Sequence, residues 1–476
     1  MKKRFGKAMA RTVSAFKSLT VSTIPLPVCA TPPRRCNPKV TATFVQSWLS
    51  ASWTDAQWDT ELEDMIAAGI TCLIFSDVAI KDKKSNGGQW TTYYPSQLTE
   101  FGSQDYRGDV LEKALNKCQE HTIQVILGTG GYTDWDITAG LGSTYMNFCT
   151  VGAKIAEEIY NMYYNKYADT ICGWYFVPEF NNNVLLCTPY ARKFARGINV
   201  ILAKLTQLNP DLPFLMSPYH TKYYGAASLR NTQNFWNNFF SQTNFRPGDI
   251  FSPQDAVGAG WIDITDLESV TQMYRKVVDE ANKGVILWAN CENFAQCHSG
   301  SFLVPSKTEY TAFITSPLNR FVSQMNIVSP YVDNIIVFSY NHYYSPQKIQ
   351  DRVYNDTYID YLRNYELDTQ KPTAPTRIDT SYRSNGQLAI NWNAGTDNIG
   401  IAGYRVYKNG NFLVRRDVSS SVADPTNYPL YSCLDKNFST SEKTIYEVEC
   451  FDGAGNFSDK MAIVVDGANP DASRGS

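Results

Sequence analysis

Histidine is scarce in this chain: only His121, His220, His298 and His342 occur in 476 residues. None sits in a His-Glu-x-x-His spacing, which excludes a zinc hydrolase built on one helix face. Gly-x-Ser-x-Gly and the phosphate-loop pattern are absent as well, so neither a serine esterase nor a nucleoside triphosphatase is indicated. GTGGYT (128–133) places Gly128, Gly130 and Gly131 after an apolar run, but a dinucleotide-binding turn needs its third glycine where Thr133 stands. It reads as a tight turn. Cys291, Cys297 and His298 lie close in the chain, and a bridge or chance spacing accounts for them better than a metal does. No cofactor and no metal are expected.

Long apolar runs are missing too, and without about 18 such residues in a row no helix crosses a membrane. Nor is there an excess of one charge. Lys and Arg number 43 against 46 Asp and Glu, a net −3, so nothing selects nucleic acid or an anionic membrane as partner. Cysteine forms no regular framework. The eleven are odd in number, Cys72 and Cys172 sit inside apolar runs, and Cys291 with Cys297 or Cys433 with Cys450 are the conceivable bridges. The first residues, MKKRFGKAMARTVSAFKSLTVSTIPLPVCA, have the basic start and small-residue end of an export signal, but Lys17 and several hydroxyls break the apolar stretch. Residues 1–38 therefore read as a weak signal or a leader.

What the chain has in excess is aromatic surface: Tyr 30, Phe 24 and Trp 10, together 13%. Most of it serves packing, and stacking on ligands is a second use. Between residues 41 and 366 short apolar runs alternate with helical patterns, the mark of a parallel sheet with crossover helices. Eight runs occur: 43–49, 71–79, 123–131, 171–180, 213–220, 249–258, 285–294 and 334–342. Helical patterns follow each, from the Thr54 and Gln57 capping box through TAFITSPLNRFVSQM (311–325) to KIQDRVYNDTYIDYLRNY (348–365). Eight such units predict a (β/α)8 TIM barrel over 39–366. A Pro and Thr linker over 367–375 precedes alternating strands and an Asn-Gly hairpin in KNGN (408–411), which predict a small immunoglobulin-like β-sandwich over 376–468 and a tail over 469–476.

Catalytic groups of such a barrel come from the C-terminal ends of its strands. WYFVPEF ends the fourth run on Glu179, and VILWANCENF carries Glu292 at the end of the seventh. Cleaving a glycosidic bond takes one carboxylic acid and one carboxylate in different environments. Aromatic flanks such as Phe176 and Phe180 suit Glu179 as the acid, and Asn290 and Asn293 suit Glu292 as the charged nucleophile. Other strand ends offer hydroxyl-binding and stacking groups: Gln46 and Trp48, Asp77, Asn181, Tyr219 and His220, Gln254 and Asp255, Trp261, Trp288, Tyr340 and Asn341. Asp255, on the neighbouring strand, is the alternative partner for either glutamate.

Three resemblances accompany this reading. PTAPTRIDTS, LAINWNAGTDNIGIAGYRVYKNG and YEVECFDGAGNFSD resemble the fibronectin type III modules appended to bacterial extracellular carbohydrate enzymes, which implies a spacer or adhesive module and export to the medium or cell surface, with the cytoplasm left open by the leader. Glutamates after strands four and seven resemble the large clan of retaining TIM-barrel glycoside hydrolases. TFVQSWL, GWYFVPEF, SPQDAVGAGW and LWANCENF resemble a bacterial barrel family catalogued as a domain of unknown function and suspected of glycosidase activity. One departure is visible: the clan places Asn before the strand-four acid, to hold the sugar 2-hydroxyl, and this chain has Pro178, so either another group, such as Asn181 or Asn290, holds that hydroxyl or the chain lies outside the clan. The expectation is a retaining glycosidase acting on a polysaccharide or oligosaccharide; the alternative is a carbohydrate-binding or adhesive protein without turnover.

Overall fold

The computed structural model describes residues 37–82, 88–132, 143–180, 182, 188–222, 228–297, 312–383, 385–418 and 431–468. The leader, apart from residues 37 and 38, and the tail over 469–476 lie outside these. Contacts divide the chain into two compact units, residues 1–292 with 324–339, and residues 293–323 with 340–476.

The first unit holds a closed barrel of parallel strands, as the eight runs predict. They are β1 (Ala42–Val45), β2 (Cys72–Phe75), β3 (Gln124–Gly128), β4 (Ile171–Phe176), β5 (Phe214–Met216), β6 (Ile250–Phe251), β7 (Ile286–Glu292) and β8 (Asn334–Phe338). Around the barrel they pair in the order β1-β8-β7-β6-β5-β4-β3-β2. Their apolar runs suit strands covered on both faces. Helices α1 (Asp55–Ala67), α2 (Val110–Glu120), α3 (Ser143–Tyr167), α4 (Thr188–Leu208), α5 (Leu229–Gln242) and α6 (Leu267–Ala281) connect the first seven strands. The capping box at the start of α1 forms as expected, with Thr54 and Gln57 each accepting the other's backbone N–H.

Alternate residues of the strands fill the interior. Ala42 and Phe44, Cys72 and Ile74, Ile126, Tyr175 and Val177, Leu215, Ile250 and Ile336 form one buried cluster, with Trp288 and Phe338 packed against it. That cluster defines the inward parity of each strand, and residues two or four further on continue it toward the barrel mouth.

Two local readings change. TAFITSPLNRFVSQM is not helical throughout: Ala312–Thr315 form a strand pairing antiparallel with Phe294–Cys297, and helix α7 (Leu318–Val328) begins only after Pro317. Proline disfavours helix in the residue before it and starts one well. GTGGYT is more than a turn, because Gly131 and Tyr132 pair in parallel with Ile80 and Lys81. Cys291, Cys433 and Cys450 are free thiols, so neither conceivable bridge exists.

In the second unit, β9 (Ile378–Tyr382), β10 (Leu388–Trp392) and β13 (Ser432–Asp435) form a three-stranded sheet. A four-stranded antiparallel sheet contains β11 (Ile401–Lys408), β12 (Asn411–Asp417), β14 (Lys443–Asp452) and β15 (Met461–Asp466). Ile378, Leu388, Ile390, Trp392, Tyr404, Val406, Tyr446 and Val448 are among the residues of their shared core. Helix α8 (Val353–Asn364) packs on these sheets, with Thr357 against Gly453 and Val353 against Gly400.

Candidate active site

Glu292 closes β7, and the parity of that strand decides where it points. Trp288 packs on the interior cluster, so Asn290 and Glu292 face the same way, one and two steps higher toward the mouth. Glu292 is buried, and its Oε2 accepts the backbone N–H of Ala259 at 2.6 Å. A donor at that distance stabilises negative charge on the carboxylate. The loop that delivers it turns sharply at Ala256, where φ is +57°. On β4 the same count runs Tyr175, Val177, Glu179, which puts the second glutamate on the inward face at the strand's C-terminal end. Glu179 is half-buried, and desolvation pushes its carboxyl up to about 7, a hydrogen bond from Gln254 opposing and the charge of Asp77 assisting.

Gln254 is the link between the two strands that carry the glutamates. Inward by parity from Ile250, it bonds to Glu179, donates from Nε2 to the Ser217 carbonyl at 3.2 Å and bridges in parallel to Asn290. Asn290 is buried; its Nδ2 donates to Ser217 Oγ at 3.1 Å, and its Oδ1 has no partner among the described residues. A buried amide oxygen without a partner is uncommon in a folded protein. Gln46 is the inward residue after Phe44 on β1, and Trp48 beside it is 50% exposed, available as a rim surface.

Tyr219 follows the inward parity of β5 and lies 6.3 Å from Trp261, their rings inclined by 30°. The loops that carry them are tied together. Tyr219 donates its N–H to the Phe180 carbonyl at 2.8 Å, and Lys222 donates its N–H to the Trp261 carbonyl at 3.1 Å. Asn182 and Thr221 clamp each other, Nδ2 to carbonyl at 2.7 Å and N–H to Oδ1 at 2.8 Å. Lys222 Nζ pairs with Asp263 and, at 2.7 Å, with Asp266.

Several expected groups are not brought to this mouth. Asp255 is out of phase with Gln254 and points into the outer layer, where its carboxylate accepts from Gln324 of α7 and, at 3.2 Å, from the N–H of Val257. Gln324 also donates to the Glu292 carbonyl at 3.1 Å, so Asp255 braces the strand end and is not a rival carboxylate. His220, out of phase with Tyr219, is buried edge-on against Tyr274 of α6, and desolvation pushes it down to about 4, leaving it neutral. Trp288 lies about 13 Å down β7 from Glu292 at ~3.3 Å per residue, inside the barrel. Asp77 is fully buried and touches no open space. Tyr340 and Asn341 are buried in the second unit, where the Tyr340 hydroxyl donates to Asn355 at 2.7 Å. Asn181 lies outside the described residues. Ser217, Gln324 and the Ala259 N–H were missed by reading the sequence, and a backbone donor leaves no signal there at all.

Among the described residues one carboxylate triplet, Asp368, Asp397 and Asp452 in the second unit, has oxygens within 4.8 Å of one another. Backbone donors engage two of its members: Asp452 accepts from Gly455 and Asn456, and Asp397 from Ile399 and Gly400.

A family model described as a domain of unknown function, DUF4434, matches residues 40–350. The chain belongs to the DUF4434 family. Among solved structures, the fold of this DUF4434 protein is similar to that of a candidate alpha-L-fucosidase from Bacteroides thetaiotaomicron, with a TM-score of 0.53 at 19% identity over 73% of this chain and 98% of that one. Among curated proteins, it is 30% identical over 91 residues to Chitinase Chi52 of Paenibacillus xylanexedens, 19% of this chain and 15% of that protein. It is 31% identical over 91 residues to an alpha-amylase of Niallia circulans, 19% of this chain and 6% of that protein. The matches therefore span only a small part of these relatives.

Proposed function

We propose that this DUF4434 protein is a glycoside hydrolase of the retaining type, with Glu179 as general acid/base and Glu292 as nucleophile. The observation that carries the reading is the contrast between two inward glutamates. One sits where burial holds a proton on it near neutral pH, and the other has a backbone N–H directed at its charge. Glu179 protonates the departing glycosidic oxygen while Glu292 attacks the sugar carbon; Glu179 then takes a proton from the water that releases the covalent glycosyl intermediate. Asn290 takes the sugar hydroxyl next to the reacting carbon, the duty that Pro178 cannot perform. The names of the fucosidase-like neighbour, the chitinase and the amylase support a carbohydrate substrate.

Tyr219 and Trp261 form the stacking face for a bound sugar ring, whose CH groups suit an aromatic surface. Trp261→Ala is expected to raise KM by roughly two- to tenfold with kcat within about threefold, since an aromatic contact of this kind contributes ~0.5–1.5 kcal/mol. Steady-state kinetics on the substrate that proves active measures this, and an unchanged KM removes Trp261 from the cleft. The C-terminal sheets serve as a fibronectin type III-like spacer or adhesive module, in keeping with export.

Release of reducing ends from a broad glycan panel, with the native chain beside Glu179→Gln and Glu292→Gln, tests the function. Turnover by the native chain that is lost in both variants is the expected result. Binding to a glycan without any turnover overturns it in favour of a carbohydrate-binding protein.

A further inference from the structure

Asp77 has an arrangement that the proposed chemistry leaves unused. It follows β2 and is fully buried. Ser76 Oγ donates to its Oδ2 at 3.0 Å, while Oδ1 has no hydrogen-bond partner among the described residues. A buried carboxyl without a cation and with one oxygen unserved is costly to keep. The glycines of GTGG explain how it is accommodated. A Cβ on Gly128 would stand 1.7 Å from the Ser76 carbonyl oxygen, so only glycine lets β3 approach the end of β2 there. A Cβ on Gly131 would stand 2.9 Å from Val177 Cγ1 and 3.6 Å from Asp77 Oδ1. The side of Gly131 that carries no side chain therefore faces both the open oxygen of Asp77 and Val177 of β4, two residues before Glu179.

We infer that Asp77 acts on the reaction through Glu179, as a buried carboxyl that the glycine turn holds beside β4, and never touches the sugar. This deepens the glycosidase reading and rests on Glu179 being its acid. The titratable groups that feel Asp77 are Tyr93 from the segment after Trp90–Thr92, and Tyr175 and Glu179 from β4 and its end. Glu179 in turn faces Gln254 of the β6 end. Burial pushes Asp77 up to about 7, and its negative charge raises the cost of ionising Glu179. An ionised Asp77 therefore helps to keep the proton on the acid.

The test is the titration of Glu179 itself, by carbon NMR of the full chain labelled at the glutamate carboxyl, with Glu179→Gln to identify its signal. In Asp77→Asn the midpoint of Glu179 is expected to fall by roughly half a unit or more. Ser76→Ala, which removes the bond that favours the charged form of Asp77, moves it the same way by less and covers the case in which Asp77→Asn does not fold. A midpoint unchanged in the folded variants overturns the inference. On an active substrate, the high-pH limb of kcat/KM should move down with the midpoint while KM stays constant; a raised KM with an unmoved limb would make Asp77 a substrate contact and also overturn it. The titration needs no turnover, so a failure of the glycosidase reading shows only in the kinetic arm.

Discussion

Glu292→Gln is expected to cut kcat by on the order of 10⁴-fold or more, the scale of removing a nucleophile from a unit that acts together. Glu179→Gln is expected to cost on the order of 10²–10⁴-fold, the scale of one general acid. The amide keeps the shape of each side chain, so the fold and the glycan affinity should survive, which isothermal titration with an active substrate checks. The Glu179 loss should shrink for substrates with a good leaving group, such as a nitrophenol, because these need little protonation to depart. The Glu292 loss should not shrink. The pH profile follows from the environment of Glu179. As the acid it must hold its proton, burial places its midpoint at about 7, and kcat/KM should therefore fall as pH rises through that value. Removing Glu179 should remove this limb. A flat profile between pH 6 and pH 8, about one unit on each side of that midpoint, would show that another group supplies the proton.

The largest loss of stability is expected far from this site. Asp249 precedes β6 and is 1% exposed. Its Oδ1 accepts from the Phe214 N–H at 2.8 Å and from Arg246 Nη2 at 2.7 Å, and its Oδ2 from the Arg246 N–H at 2.7 Å. Arg246 Nη2 also donates to the Leu212 carbonyl at 2.9 Å, so the pair joins the N-terminal ends of β5 and β6. Asp249→Asn preserves the shape and leaves the largely buried Arg246 guanidinium without the carboxylate it pairs with. Breaking a buried pair from one side costs about 3–5 kcal/mol. Urea unfolding followed by tryptophan fluorescence should show a midpoint lowered accordingly at unchanged slope. Because the pair lies at the opposite end of the strands from the glutamates, kcat at low temperature should be unaltered. A loss under about 1 kcal/mol would mean that the site is wetter than its burial indicates.

Much of this molecule is legible in its residues. Each of the eight apolar runs overlaps a barrel strand, because residues covered on both faces must be apolar and the crossover helices announce themselves by caps and period. The misreadings are local. The apolar spacing of TAFIT suits a helix or a strand, and Pro317 is the signal that separates it from α7. Asp255, His220 and Trp288 stand near strand ends in the sequence and still miss the mouth; Asp255 and His220 are one residue out of phase, and Trp288 is too low on β7.

By itself the sequence determined the barrel, its strand count and the presence of glutamates after strands four and seven. These follow from hydrophobic periodicity and chain position, which are local properties. Only the tertiary structure decided which strand-end residues face inward, since parity is counted from a core that exists once the barrel has closed. It also decided the environments of the two glutamates. The Ala259 N–H at Glu292, and Asp77 beside β4 behind Gly131, are contacts between residues far apart in the chain, and local pattern carries no record of them.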